Sequence, residues 1–225
     1  MVDYIQTRDQ IALFPKNFFL STKDLQDVYQ RLLQALPVFD GENQLLPIEE
    51  APRVFPRINL NTRGNEFGVS LSFERFDFHW RNQTFLAPND SVRFDKLKEL
   101  AVAVVTILGQ DIKFSRMGLV REFAYQVDYL DFVKKVLHEK YRADLKDFAI
   151  RVTHKSSAAD KEANHVISLS SGTRSMDETR FTILESDFNT PQELDLQCDV
   201  RAITKIIEAA KEKSLPEPLF ASYIE

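Results

Sequence analysis

The alternation of apolar and polar residues from Glu66 to Arg81, EFGVSLSFERFDFHWR, is the feature around which the rest of the sequence is organised. Large apolar residues occupy every second position in two series that are one residue out of step: Val69, Leu71 and Phe73, then Phe76, Phe78 and Trp80. This period predicts an extended strand with one buried face. A bulge at Glu74–Arg75 would absorb the extra residue and keep both series on that face. A tight hairpin is less favoured, because Glu-Arg lacks residues that adopt positive φ.

Helical and extended patterns follow one another through the rest of the chain. Apolar residues at helical spacing predict four main helices, whose stripes run over residues 25–36, 97–108, 130–141 and 200–210. Shorter apolar runs predict strands at residues 54–60, 112–125, 148–152, 167–169 and 181–183. Ile11 to Phe14, ended by Pro15, is typical of an edge strand.

The order of these predicted elements is the same in two parts of the chain. Residues 1–126 and 127–225 each contain a helix, three strands and a helix, and the long strand 112–125 joins the two parts. We therefore predict an α+β fold, with an antiparallel sheet and about four main helices in a single compact unit over residues 1–225. The shared order raises the hypothesis that the two halves are structurally similar.

The strand RFDFHWR, the helix that Phe94 opens and the strand RMGLVREFAY together resemble a sporadically distributed family of uncharacterised bacterial proteins. That family carries a strand near RF-x-x-N-W-R, a helix, a strand near Y-I-N, and a phenylalanine near the C terminus, as Phe220 is here. His79 stands where the family favours asparagine. The resemblance spans residues 18–224 in the order of elements. It implies architecture and a bacterial origin, and it brings no activity to carry over.

Composition narrows the class of protein. The 225 residues are 44% hydrophobic and 11% aromatic, with 18 Phe, which is typical of a globular chain. Six glycines make a glycine-rich phosphate loop unexpected, and we predict no cofactor. Cys198 is the single cysteine, which excludes an intramolecular disulfide and fits a reducing cytoplasm. Because the N terminus lacks a signal-peptide pattern and no apolar run is long enough to span a bilayer, we expect a cytoplasmic protein with no membrane partner.

Metal-binding and nucleophilic chemistry find little support in the pattern. His154 and His165 could meet across a hairpin and bind a metal with Asp160 or Glu162, but two exposed histidines beside a loop are the commoner arrangement. Cys198 lies near the start of the last helix, where a packing role is more common than a reactive one. We therefore predict no metal site and no nucleophile.

The carboxylates of the central stretch allow two interpretations. Glu74 and Asp77 could act as a general acid and base. They could equally pair with Arg75, Arg81 or Arg121 across the sheet, which is the commoner arrangement. We predict no catalytic residue, and the balance favours a protein that is not an enzyme.

Arginines concentrate on the predicted strands of the first half: Arg53, Arg57, Arg63, Arg75, Arg81, Arg116 and Arg121. His79 lies between Phe78 and Trp80, so its side chain points away from the buried face. If the arginines share that face with His79, they form a basic patch in a chain whose net charge is −5. The candidate binding residues are therefore His79, Arg75, Arg81 and Arg121. Arginines that pair with the many carboxylates are the alternative.

The function expected from these observations is non-enzymatic binding of another macromolecule. The partner is expected to be a protein, held through a sheet face, or a second copy of the chain in a homo-oligomer. Nucleic-acid binding or processing through an arginine-bearing sheet face is the alternative, because single strands bind to surfaces that combine cations with aromatic side chains. The net charge of −5 opposes general phosphate binding.

Overall fold

The structure is a computed structural model that describes residues 4–16, 18–46, 51–83, 91–109, 112–125, 148–173, 180–191, 196–197 and 200–214. The strands are β1 (Tyr4–Lys16), β2 (Gln44–Leu45), β3 (Ile58–Asn61), β4 (Phe67–Leu71), β5 (Phe76–Arg81), β6 (Lys113–Tyr125), β7 (Ala149–Ala158), β8 (Lys161–Thr173), β9 (Arg180–Asn189) and β10 (Leu196–Gln197). The helices are α1 (Thr22–Ala35), α2 (Ser91–Leu108) and α3 (Val200–Lys213). The strands form one antiparallel sheet in the order β2-β3-β4-β5-β1-β6-β9-β8-β7, and β10 pairs with β6.

Two long strands, β1 and β6, form the middle of the sheet. They pair along their full lengths, from Tyr4 opposite Tyr125 to Lys16 opposite Lys113. The edge position predicted for residues 11–14 is therefore wrong. Pro15 is tolerated in this central strand because it lies beside a register shift near the strand end, where a missing N–H interrupts little of the ladder.

The α+β class with an antiparallel sheet is confirmed, but the prediction of about four main helices and of two similar helix–three strands–helix halves joined by a long strand is wrong. The described residues form one continuous, strand-rich antiparallel sheet with three helices. The predicted joining strand is β6, which pairs with β1 on one side and β9 on the other, so the sheet crosses the predicted boundary at residue 126 without a break. The helix predicted for residues 130–141 lies outside the described residues.

The two faces of the sheet differ in chemistry. One face, called here the helical face, carries Ile11, Leu13, Val69, Leu71, Phe76, Phe78, Trp80, Met117, Leu119 and Phe188, which share one apolar cluster with the buried side chains of all three helices. The opposite face, called here the open face, carries the intervening residues of the same strands. These include Arg8, Gln10, Ser70, Asp77, His79, Arg81, Glu122, Glu185 and Asp187. Alternation along each strand therefore separates an apolar layer from a polar surface.

Residues 66–81 form two strands and a hairpin loop, so the predicted single bulged strand is wrong. Leu71 pairs with Phe76, and residues 72–75 make the loop between them. The Ser72 hydroxyl accepts hydrogen bonds from the backbone N–H groups of Glu74 and Arg75 and donates to the Arg75 carbonyl. This side chain organises a four-residue loop that needs no positive φ. The prediction that both apolar series share one buried face is confirmed, because the two strands face each other in register.

We expect Ser72→Ala to lower the free energy of unfolding by about 1–2 kcal/mol, because the backbone N–H groups of Glu74 and Arg75 lose their acceptor. Urea unfolding followed by circular dichroism measures this loss. Ser70→Ala is the matched control, since Ser70 is a half-buried serine on the open face with no role in the loop, and it should stay within about 0.5 kcal/mol of wild type. Equal effects of the two substitutions would contradict a loop held together by Ser72.

Candidate functional site

A polar cleft of about 380 Å³ lies on the open face over β3, β4 and β5. Its lining residues are Glu42, Gln44, Asn59, Asn61, Asn65, Val69, Ser70, His79 and Arg81, and it is called here the His79 cleft. The register explains the arrangement, because Asn61, Gly68 and His79 form one row across the three strands. Asn59, Ser70 and Asp77 form the neighbouring row.

Gly68 determines how the floor of the cleft is built. A Cβ atom on Gly68 would stand 2.4 Å from His79 Cε1, 2.5 Å from His79 Nε2 and 2.9 Å from Asn61 Oδ1. The imidazole therefore leans across β4 into space that only a glycine leaves empty, and the carboxamide oxygen of Asn61 lies beside the same space. Residues inside a central strand usually have a side chain that packs against the neighbouring strands. The close approach of the His79 ring and the Asn61 carboxamide to the backbone is the structural reason for a glycine at position 68.

His79 is neutral near pH 7. Burial lowers the pKa of its imidazole, and the charges of Arg81 and Arg8 lower it further, while Asp77 opposes them. The neutral ring offers one hydrogen-bond donor and one acceptor. Within the described part of the chain neither ring nitrogen of His79 has a hydrogen-bond partner, so both are available to a ligand.

Arg81 and Glu42 place opposite charges at the rim of the cleft, and both side chains are exposed. Arg81 forms no ion pair with the described residues. Of the four candidate binding residues predicted from the sequence, the structure thus brings His79 and Arg81 together in one cleft.

Arg75 lies on the hairpin loop at the other end of β5. Its guanidinium forms an ion pair with Asp77 at 2.8 Å and lies 5.3 Å from the ring centre of Phe14. Gln10 also donates to Asp77, at 2.7 Å. Arg75 is therefore part of the open face but is already paired.

Arg121 does not join this surface, so the expectation that it shares a face with His79 is wrong. Arg121 is 4% exposed and lies on the helical face, where its Nε donates to Asp9 at 3.0 Å. Its guanidinium also lies 5.2 Å from the ring centres of Phe94 and Phe123. This arginine holds the sheet against α2.

Most of the other predicted arginines are also paired or buried. Arg53 pairs with Glu74 at 3.6 Å, and Arg63 pairs with Asp40 at 3.7 Å. Arg57 is 2% exposed and donates to the Ala51 carbonyl, while Arg116 donates to Asn189 at 2.6 Å. Arg8, which the sequence did not single out, pairs with Glu185 at 2.7 Å and Glu122 at 3.6 Å. The centre of the open face is a network of compensated charges rather than a basic patch.

Glu74 and Asp77 belong to separate ion pairs, with Arg53 and Arg75 respectively. Pairing with arginines, the commoner arrangement in the prediction, is confirmed for Asp77, whereas the partner of Glu74 is Arg53 and not one of the expected arginines. No group of three or more His, Cys, Asp or Glu residues that could hold a metal is present among the described residues. Cys198 lies outside them.

His154 and His165 meet across the β7–β8 hairpin, which is the less common of the two arrangements expected from the sequence. They are directly paired, with ring centres 4.9 Å apart. His165 is 2% exposed, and its Nε2 lies 2.7 Å from the Ser186 hydroxyl oxygen. Burial, with the nearby charges of His154 and Lys213, lowers the pKa of His165 to about 4. This histidine is a neutral core residue.

A buried neutral histidine makes stability depend on pH. The pKa of His165 is about 4 in the folded protein, below its ordinary value of 6.5, so its contribution is complete above pH 6.5 and is lost as the pH falls from 6.5 to about 4. We expect wild type to lose on the order of 2 kcal/mol over this range through this group. His165→Gln should flatten the profile of urea midpoints against pH, whereas the exposed control His154→Gln should keep most of the slope. Parallel profiles for wild type and His165→Gln would contradict this assignment.

The carboxamides of the His79 cleft were missed from the sequence. Asn59 and Asn61 alternate with the buried Ile58 and Leu60, which is the period-two signal that should have placed both on one polar face. Their approach to His79 depends on cross-strand register, which the sequence does not show.

Comparisons with known proteins add little information about this site. No protein-family model matches the chain, and no curated protein matches it. Among solved structures, "Methanococcus jannaschii TBP" is 12% identical and covers 93% of this chain and 99% of that chain, with a TM-score of 0.28. A TM-score this low carries no argument about fold or function. No helix among the described residues has the length and hydropathy needed to cross a membrane.

Proposed function

We propose that this protein is a non-enzymatic, cytoplasmic binding protein that holds another protein on its open face, through the His79 cleft. The observation that carries the proposal is the state of His79 and Arg81. Both lie in a polar cleft of about 380 Å³, and neither has a hydrogen-bond or ion-pair partner within the described residues. Among the other charged groups of the open face, Arg8 pairs with Glu185 and Arg75 pairs with Asp77.

Nucleic-acid binding through arginines has less support. Affinity for nucleic acid comes mainly from cations that neutralise phosphates, and ion-paired arginines must lose a carboxylate before they can do so. The arginines of the described strands are largely paired or buried, and the chain is acidic overall. Retention on heparin that falls steeply with salt would reverse this order of preference.

Site-specific cross-linking tests the proposal. A photoreactive amino acid at Ser70, in the His79 cleft, is expected to cross-link to a partner protein in cells, or to a second copy of the chain. The same group at Arg31, an exposed residue of α1, is the matched control and should give no such product. Adding Arg81→Glu should remove the Ser70 product. A partner captured from Arg31 and not from Ser70 would place the binding surface on the helical side and contradict the proposal.

A further inference from the structure

The carboxamides of the His79 cleft match the hydrogen-bonding groups of a peptide backbone. Gln44 and Asn59 are directly paired across β2 and β3, Asn61 lies two residues further along β3 on the same face, and each carboxamide carries a donor and an acceptor. A peptide group likewise offers one N–H donor and one C=O acceptor. Neighbouring strands are about 4.8 Å apart, and same-face residues along one strand are about 6.7 Å apart, so an extended chain that runs obliquely across β2 and β3 meets one such group after another.

Asn61 is held in place for this role. Its Nδ2 donates to the Glu42 carbonyl at 2.9 Å, and its backbone N–H donates to Asn43 Oδ1 at 2.8 Å. These two bonds leave Oδ1 directed to the space above Gly68, where His79 Nε2 also lies. The acceptor of Asn61 and the neutral ring of His79 therefore converge on one point in the floor of the cleft.

The charge at the rim indicates what else the ligand carries. Arg81 is exposed, and a guanidinium binds a carboxylate through two parallel hydrogen bonds. Because His79 is neutral near pH 7, the positive charge of the cleft comes from Arg81.

Nucleic acid is a poorer match for the same cleft. Its binding sites combine several cations with aromatic surfaces on which bases stack. The described lining has one arginine, one glutamate and no Phe, Tyr or Trp.

We infer that the His79 cleft binds an extended peptide segment that bears a carboxylate, with the carboxylate on Arg81 and the peptide groups on Gln44, Asn59 and Asn61. This inference rests on the proposed protein-binding function and specifies the ligand of the same site. The segment crosses β3 and β4 above Gly68, and the imidazole of His79 hydrogen-bonds to it there.

An array of octapeptides tests the inference. Each sequence with one Asp or Glu is paired with the same sequence carrying Asn or Gln, and hits are measured by fluorescence polarisation. Wild type should bind the acidic member about tenfold or more tightly than the amide member. Arg81→Gln should bind both members equally, whereas Arg31→Gln, the control on α1, should keep the wild-type preference.

Gly68→Ala provides a second variant with a different expected result. The added Cβ displaces the His79 ring and the Asn61 carboxamide, so both members of each pair should weaken by the same factor while circular dichroism shows a folded protein. Equal binding of both members by wild type, no binding of either, or unchanged discrimination in Arg81→Gln would overturn the inference. Cross-linking from Ser70 together with any of these results leaves the proposed function standing. Absence of cross-links from Ser70 overturns the proposed function itself.

Discussion

Trp80→Ala is expected to lower the free energy of unfolding by about 3–5 kcal/mol, through lost transfer energy and the cavity that remains. Trp80 is 2% exposed and lies opposite Phe67 in the β4–β5 hairpin. Its indole N–H also donates to Glu66 at 3.1 Å, and the Arg93 guanidinium lies 5.2 Å from its ring centre. Since a domain has only about 5–15 kcal/mol of stability, the variant should be close to unfolding at growth temperature. Urea midpoints at pH 7 measure the loss.

His79→Ala is the matched control, because His79 is the neighbour of Trp80 on the same strand and faces the other way. We expect it to cost less than about 1 kcal/mol, since its ring is half-buried and has no hydrogen-bond partner within the described residues. Comparing the two substitutions therefore separates the loss of a core side chain, which lowers stability, from the loss of a side chain on the open face, which affects binding. If His79→Ala were as damaging as Trp80→Ala, the open face would be a second core and not a binding surface.

The period-two alternation predicted the buried face of β4 and β5 but not the hairpin between them. Large apolar residues reveal their face because burial is repeated at every second position. The turn was missed because its signal was sought in residues that adopt positive φ. The loop depends instead on one serine hydroxyl, Ser72, which replaces the special backbone conformation with three hydrogen bonds.

The sequence pattern did not predict the central position of β1, because this strand contains several polar residues. Gln6, Thr7 and Asp9 are all buried, although each side chain would be expected at the surface. Gln6 donates to Asp9, and Thr7 donates to Glu122 at 2.6 Å, so these polar groups are satisfied within the sheet. The partners of Thr7 and Asp9, which are Glu122 and Arg121, lie more than a hundred residues away in β6, and a local pattern cannot include them.

Only some residues of the candidate site could be predicted from the sequence. The alternation of side chains between the two faces of a strand explains which ones. His79 stands between the buried Phe78 and Trp80, and Arg81 follows Trp80, so alternation places both on the open face. Arg121 lies an even number of positions along β6 from Met117, Leu119 and Phe123, all of which are buried. Alternation therefore places Arg121 on the helical face with them. An arginine at an apolar position of a strand indicates a buried ion pair, and the sequence-based prediction gave too little weight to that signal.

Arg121→Met is therefore expected to destabilise the protein by about 3–5 kcal/mol at pH 7, because it leaves the Asp9 carboxylate buried without its cation. Asp9 is fully buried, 3.0 Å from Arg121 Nε, and Lys211 contributes a weaker charge. The double variant Asp9→Leu/Arg121→Met should recover most of the loss, since two apolar side chains replace the pair without stranding a charge. Thermal unfolding of wild type, the single variant and the double variant measures the loss and its recovery.

The pH dependence of that loss identifies its cause. Burial raises the pKa of Asp9 above its ordinary value, and Arg121 opposes the rise, so removing Arg121 raises the pKa further. Because the pKa of Asp9 is higher in the folded protein than in the unfolded chain, the buried carboxylate destabilises the folded protein at high pH. This destabilisation is relieved as the pH falls through the folded pKa, where Asp9 becomes protonated. The difference in stability between Arg121→Met and wild type should therefore shrink steadily from pH 7 to pH 4. A variant that is as stable as wild type at every pH, yet loses its binding partner, would restore Arg121 to the binding surface that the sequence alone suggested.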